Sequence, residues 1–383
     1  MKITCINGYH LSYRPKIALG NSRTFIRQRD FLLLEINTDA GITGWGEVFA
    51  SPWAAAALIR HQMSSHILNR SPLDYGDIYS RLVSQIGYDK RGPSMMAISA
   101  IDMALYDISA RSFGISVAQL LGGVCRKEIP CYASGPFIRE NEQPYQHYIS
   151  EIQGYLENGF KAAKPRAGVN PRADGTMASQ IRQEFGDDLD FMIDINQGYS
   201  IGDARRAVNL LEDSRPVWIE EPLHPEDLSG YQALASATFC PIAGGEALGG
   251  LASFDAFLGC ASPAILQPDL TVCGGYTGYR KAQSLADARE IPTLPHAFGT
   301  IVNFYASLQV AAATSPRGQD KTQAFPWVEY DPTGNPLIEL FGPPTLKKGC
   351  ITLPDEPGIG VQLTPAIIAP WVVEQWSIEN SQN

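Results

Sequence analysis

The sequence is short of charge, and shortest of positive charge. Charged residues make up 18% of the 383, and 30 Lys and Arg stand against 40 Asp and Glu, a net charge of −10. Phosphate backbones are bound by basic stripes, so nucleic acid is excluded as the main partner. A local basic pocket for an anionic small molecule is still allowed. There is no C-x-x-C. The seven cysteines (Cys5, Cys125, Cys131, Cys240, Cys260, Cys273 and Cys350) are odd in number and scattered. That pattern points to reduced thiols in a cytoplasmic protein, not to a disulfide frame. The opening MKITCINGYHLSYRPK has no apolar core of the signal-peptide kind. The one long charge-free run, Ala297–Pro316, contains Asn303, Ser307 and Gln309, and it reads as a buried helix and not a membrane span. The stretches GGEALGG and CGGYTG lack the strand–GxGxxG–helix setting, which excludes a dinucleotide site.

An apolar content of 44% is that of an ordinary globular chain. The length suits one large domain with a smaller one. Residues 2–10 and 31–37 read as strands, and 38–46 (TDAGITGWG) supplies a hairpin turn. Between them, 13–30 is polar and has no apolar period. It is expected as a mobile loop carrying Lys16, Arg23 and Arg27, either a solvated surface or a lid whose cations meet an anionic substrate. Residues 52–69, 73–87 and 93–113 read as helices. In the last, Met95, Ile98, Ile101, Ala104, Leu105 and Ile108 recur at three- and four-residue steps. Strands followed by a run of helices make an α+β module.

From about Ile129 the pattern alternates strand and helix. Strands are expected to end near Ser134, Lys164, Asp194, Glu220, Gly244, Asp269, His296 and Glu329. Helices are expected near 143–158, 174–186, 202–213, 227–236, 250–259, 274–288 and 300–313. The expected fold is a (β/α)7β TIM-type barrel with an α+β capping domain. Residues 344–383 hold a short strand-like piece around Ile351 and Leu353 and then a proline-rich tail with no further βα unit. The expected division is therefore 1–125 for the cap, 126–343 for the barrel, and 344–383 as a segment packing back on the cap.

Three apolar runs, FMIDINQG, VWIEEP and PIAGGE, end in Asp194, Glu220 and Glu246, spaced 26 residues apart. One βα unit of a barrel takes about that length, and barrel enzymes keep their active sites at the C-terminal ends of the strands. Three converging carboxylates repel one another unless a cation lies between them. An oxygen-only set favours Mg2+ over Zn2+. The second strand, FKAAKPRAG, offers Lys164 and Arg166 on one face. The third adds Asn196, a candidate substrate contact or a rim residue. Glu221 is either a supporting acid beside Lys164 or a fold residue. Lys16 and Arg23 are candidate substrate contacts from the loop.

The order K-x-R, D-x-N, E-E-P, G-G-E, Q-P-D, P-H and V-E-Y closely resembles the mandelate racemase branch of the enolase superfamily. The stretch 97–123, AISAIDMALYDISARSFGISVAQLLGG, resembles that family's capping-domain signature. The likeness covers nearly the whole chain. It is greatest to acid-sugar dehydratases, while YASGPFIREN and LQPDLTVCGGYTG resemble galactarolactone cycloisomerases. Enolase-superfamily sites in general pair a Lys or His base with Mg2+. The resemblance implies Asp194, Glu220 and Glu246 as Mg2+ ligands and Asp269–His296 as a dyad, with Asp269 keeping the ring's pKa near working range. It implies Glu329 as an acid, raised in pKa, that hydrogen-bonds the substrate carboxylate. Many relatives carry K-x-K where this chain has Lys164-x-Arg166. Arginine stays protonated and is a poor base. The expected activity is therefore Mg2+-dependent dehydration of an acid sugar to a 2-keto-3-deoxy product. Cycloisomerisation of a sugar-acid lactone, racemisation of a 2-hydroxy acid, and a barrel that binds without turnover are the alternatives. The family likeness also implies a homo-oligomer, dimer to octamer.

Overall fold

The Asp-x-Gly turn places two strands side by side. In a computed structural model, which describes residues 1–87, 89–261, 263–315 and 327–379, Arg29–Thr38 turns back antiparallel onto Thr43–Val48. Ile3–Tyr13 pairs with Arg29–Thr38 on its other side. The strand Val372–Glu379 pairs with the outer edge of Ile3–Tyr13, completing a four-stranded sheet. The sequence pattern missed that last strand because only alternate residues are even partly covered, as befits an exposed edge. The helix Gly92–Ser112 lies on the sheet. Its approach is so close that a Cβ on Gly46 would sit 1.8 Å from the Ala100 carbonyl oxygen, so only glycine fits there. Ile6, Leu32, Leu34, Ile36, Ile98 and Ile101 are buried between the two layers, each contributing about 1.5–3 kcal/mol by burial.

The loop 13–30 is more ordered than its composition implies. Leu19–Gly20 and Phe25–Ile26 form a small hairpin, which a further bridge ties from Gly20 to Ile138 of the barrel. Two residues per strand leave no period to read. What fixes the hairpin is tertiary, with Leu19 packed against Phe137 and Phe298.

The barrel strands run in the expected order. Parallel pairing links Val328–Tyr330 to Glu128–Ala133, then to Ala162–Ala163, then to Asp190–Phe191. The third strand continues as Ile193–Asp194, beside Ile219–Glu220, Ile242–Gly244 and Ile265–Leu266. Parallel bridges Leu266–Thr293 and Asp269–His296 add the seventh. Among the described residues seven helices intervene, from Tyr148–Glu157 to Ile301–Ala313. The strand Cys350–Thr352 pairs antiparallel with the start of the first barrel strand. Pro316 and the first two residues of the FPWVEY motif lie outside the described residues. Among the described residues no helix is long and apolar enough to cross a membrane.

Period two within a strand sends every second side chain inward. Tyr132, Ala162, Met192, Trp218, Ala243, Ile265, Leu294 and Trp327, one from each strand, form a buried apolar cluster. Two residues further on stand Ser134, Lys164, Asp194, Glu220, Gln267, His296 and Glu329, all buried. The barrel thus has an apolar floor with a polar ring above it. The fifth strand breaks step. Gly245, at φ 122°, takes the ring position, and Glu246 follows one residue later.

Candidate active site

Strand register brings the ring's members together in pairs. Glu220 lies beside Asp194, Asp194 beside Arg166, and Asp269 beside His296. Lys164 donates to Glu220, and its Nζ is 3.1 Å from Glu329 and 3.7 Å from Asp194. The Tyr132 ring of the floor lies 5.4 Å from the same ammonium. Arg166 pairs with Asp194 and donates to Ser134 Oγ at 2.8 Å. Ser134 in turn donates to Glu329 at 2.5 Å. Glu220 also accepts from Trp218 Nε1 at 2.8 Å and from Gln267 Nε2 at 2.6 Å. Ser134 and Gln267 were foreseen only as part of strand ends. The alternation that singled out Lys164 and Asp194 applies equally to them.

His296 Nδ1 is 2.7 Å from Asp269 Oδ2. Asp269 is itself fixed by Thr271 N and Oγ1, both at 2.7 Å. Nε2 faces Glu246 at 3.4 Å and Glu329 at 3.7 Å. Burial by itself would lower the ring's pKa, but Glu246, Glu329 and Asp269 together push it up to about 10. That corrects the expectation of a ring near its working range, because two more carboxylates than Asp269 face it. The expectation for Glu329 is also corrected. Burial raises its carboxyl, but Lys164, His296, Arg166 and Ser134 outweigh burial and hold it well below the usual range.

Five carboxylates (Asp194, Glu220, Glu246, Asp269 and Glu329) face three cations, Lys164, Arg166 and protonated His296. The ring is short of two positive charges. In and beside it, Asn196 Oδ1, Glu221 Oε1 and Gln267 Oε1 are buried and accept no hydrogen bond. A bare buried acceptor costs roughly 1–3 kcal/mol. Missing charge and missing partners on hard oxygens are both met by one divalent cation, so the donor set fits Mg2+. Among the described residues no three His, Cys, Asp or Glu side chains are drawn into a finished cage. Lys164 and Arg166 lie against Glu220 and Asp194 instead.

Above the acids is a cavity of about 340 Å³ lined by Asn21, Arg23, Thr24, Asn196, Gln197, Glu221 and Glu246. Asn196, Gln197 and Glu221 have φ of 47°, 64° and 38°. Left-handed backbone in non-glycine residues costs about 1–3 kcal/mol each and clusters at functional sites. Asn196 donates to Asp194 through N at 2.8 Å and Nδ2 at 3.1 Å. Arg23 donates to Gln197 at 2.9 Å, so it reaches the site. Lys16 does not; it is exposed and lines a separate cavity of about 390 Å³ with Phe137 and Tyr155. Arg27 pairs with Glu140. Glu221 accepts from Gln197 Nε2 at 2.7 Å and makes no bond to Lys164.

Residues 12–122 match the family model of the mandelate racemase / muconate lactonizing enzyme N-terminal domain, and 147–367 that of the enolase C-terminal domain-like family. A D-galactarolactone cycloisomerase of Agrobacterium fabrum is 32% identical over 366 residues, 95% of this chain and 97% of that protein. A D-galactonate dehydratase of Pectobacterium atrosepticum is 32% identical over 307 residues, 77% of this chain and 75% of that one. The crystal structure of an L-talarate dehydratase from Polaromonas, complexed with Mg and L-glucarate, superimposes with a TM-score of 0.86 at 26% identity, covering 99% of each chain.

Proposed function

The chain belongs to the mandelate racemase / muconate lactonizing enzyme family of the enolase superfamily, a family of enzymes, and on that premise we propose that it is a Mg2+-dependent acid-sugar dehydratase. The observation that carries the reading is the make-up of the ring. It contains one imidazole, oriented by Asp269, and where a second base would stand it has Arg166, which stays protonated. One-sided chemistry follows. The named relatives support the substrate class, since they are a galactarolactone cycloisomerase, a galactonate dehydratase and a talarate dehydratase. We assign residues 1–125 to the cap, 126–343 to the barrel, and 344–383 to a C-terminal segment, whose Val372–Glu379 joins the cap sheet while Cys350–Thr352 pairs with the first barrel strand.

Asp194, Glu220 and Glu246 would hold the ion, which supplies Lewis acidity to a bound carboxylate as charge develops on it. The protein's own residues do the rest. Asp269 fixes the imidazole with Nε2 outward. With Glu246 holding the ion, the strongest attraction on the imidazolium would be weakened, and Nε2 would be free to act as a base. It takes the proton α to the substrate carboxylate. Lys164 and Arg166 balance the second negative charge that this step creates. The imidazolium then returns the proton to the β-hydroxyl, the C–O bond breaks, and water leaves. The enol relaxes to a 2-keto-3-deoxy acid. Asn196 and Arg23 line the cavity where the rest of the sugar would lie; Lys16 takes no part.

The test is a panel of aldonates and aldarates with Mg2+, assayed for 2-keto acids. At least one should turn over, and silence across a broad panel contradicts the reading. A second reading is favoured by the nearly full-length match to the galactarolactone cycloisomerase. There the same base acts and a lactone oxygen leaves in place of a hydroxyl. NMR on a lactone substrate separates the two, because no keto acid accumulates early.

A further inference from the structure

Glu47 comes from the cap strand Thr43–Val48 and is fully buried, yet its carboxylate is bonded to the barrel. Oε1 accepts from Thr300 N at 2.9 Å. Oε2 accepts from Thr300 Oγ1 at 2.6 Å and from Asn303 N at 2.9 Å. Thr300 and Asn303 open the helix Ile301–Ala313, which follows the strand carrying His296. Asn303 also turns its side chain the other way, with Nδ2 3.4 Å from both oxygens of Asp269. Asp269 holds His296. The path from cap to imidazole is therefore continuous: Glu47, Asn303, Asp269, His296.

Two further observations argue against a casual contact. The loop leaves room for the carboxylate, since a Cβ on Gly299 would lie 2.2 Å from Glu47 Oε1. The cap also repeats the device. Asp102, buried in the cap helix Gly92–Ser112, accepts from Thr277 N at 2.9 Å in the first turn of Gly275–Asp287, the helix that follows the strand of Asp269. Both helices behind the dyad thus receive a buried carboxylate from the cap. Helix stability alone does not require this. Thr300 already caps its own helix through Val302 N at 3.2 Å, and a local hydroxyl is the usual solution.

We propose that Glu47 is a positioning residue: the docked cap uses it, through Asn303, to set the orientation of Asp269 and His296. This rests on reading His296 as the base. A reacting group misplaced by about 1 Å can cost up to about a hundredfold in rate, so a loosened dyad loses turnover and leaves substrate affinity intact.

The test uses the full chain with Mg2+ and an acid sugar that the wild type turns over. Glu47→Gln, Asn303→Ala and the double variant are compared for α-proton exchange in D2O by NMR, for kcat and KM, and for thermal stability. Each single variant should slow exchange and kcat about tenfold with KM within about twofold. The double variant should be no slower than the slower single one, because both cut the same path. Folded variants that exchange at the wild-type rate, or effects that multiply in the double variant, overturn the proposal. Should Glu47→Gln fail to fold, Asn303→Ala decides alone, since it leaves the cap's bond to the Asn303 backbone in place. A wild type that turns over no acid sugar overturns the function itself, and the link with it; turnover in the wild type with unchanged variants overturns only the link.

Discussion

Replacing Lys164 with methionine removes one charge from the ring and little volume. Lys164, Asp194, Glu220 and Glu329 are all fully buried, and the ammonium touches all three acids. Removing one partner of a buried pair leaves an uncompensated charge and costs about 3–5 kcal/mol. An unfolding entropy of about 2.1 cal/mol/K per residue over 383 residues gives about 0.8 kcal/mol per degree, so Tm should fall by about 4–6 °C. The loss also has a pH signature. Against burial, Lys164 is the strongest influence holding the Glu220 and Glu329 carboxyls low. Depressed carboxyls stabilise the wild type above their unfolded pKa, and that contribution is lost only as pH falls through the folded value. Without Lys164 both rise. A carboxyl raised in the folded state stabilises at low pH and gives that stability up as pH rises. The gap between wild type and variant should therefore be wider near pH 8 than near pH 5. Mg2+ restores positive charge and should raise the variant's Tm more than the wild type's. Scanning calorimetry at both pH values, with and without Mg2+, measures all three effects. An unchanged Tm, or a gap independent of pH, refutes the charge balance proposed for the ring.

Two further outcomes test the same electrostatics. The His296 imidazole should titrate near pH 10 without Mg2+, since Glu246, Glu329 and Asp269 outweigh burial, and its pKa should fall when Mg2+ saturates Glu246; an NMR titration that Mg2+ leaves unmoved contradicts this. Arg166→Lys places in the ring a group that can lose its proton. It should add slow epimerisation at the α-carbon, seen by NMR as a second diastereomer, and a variant that yields only the elimination product counts against Arg166 as the determinant.

Much of this was legible in the chain. Apolar runs ending in polar residues, at barrel-sized intervals, marked Lys164, Asp194, Glu220, Asp269, His296 and Glu329, because strand alternation is local and the strands follow one another in order. The charge state of the ring was not legible. His296 is held protonated by Glu246 and Glu329, and Glu329 is held anionic mainly by Lys164, from a strand at the other end of the barrel domain. Such shifts depend on how many groups converge, which spacing does not reveal. Glu47 was invisible for a similar reason, since its partners lie 253 and 256 residues away. The small hairpin around Leu19 and the edge strand Val372–Glu379 lacked a period to read, one being too short and the other too exposed.

His296 as the base is the step on which the proposed chemistry turns. Wild type and His296→Asn, each shown to bind Mg2+, are incubated with a turned-over acid sugar in D2O while the α-proton is followed by NMR. The prediction is that the wild type loses that proton and forms a 2-keto acid deuterated at C3. His296→Asn should slow the loss by about a hundredfold to ten-thousandfold, the range for removing a general base. Exchange persisting in His296→Asn at close to the wild-type rate would contradict the account.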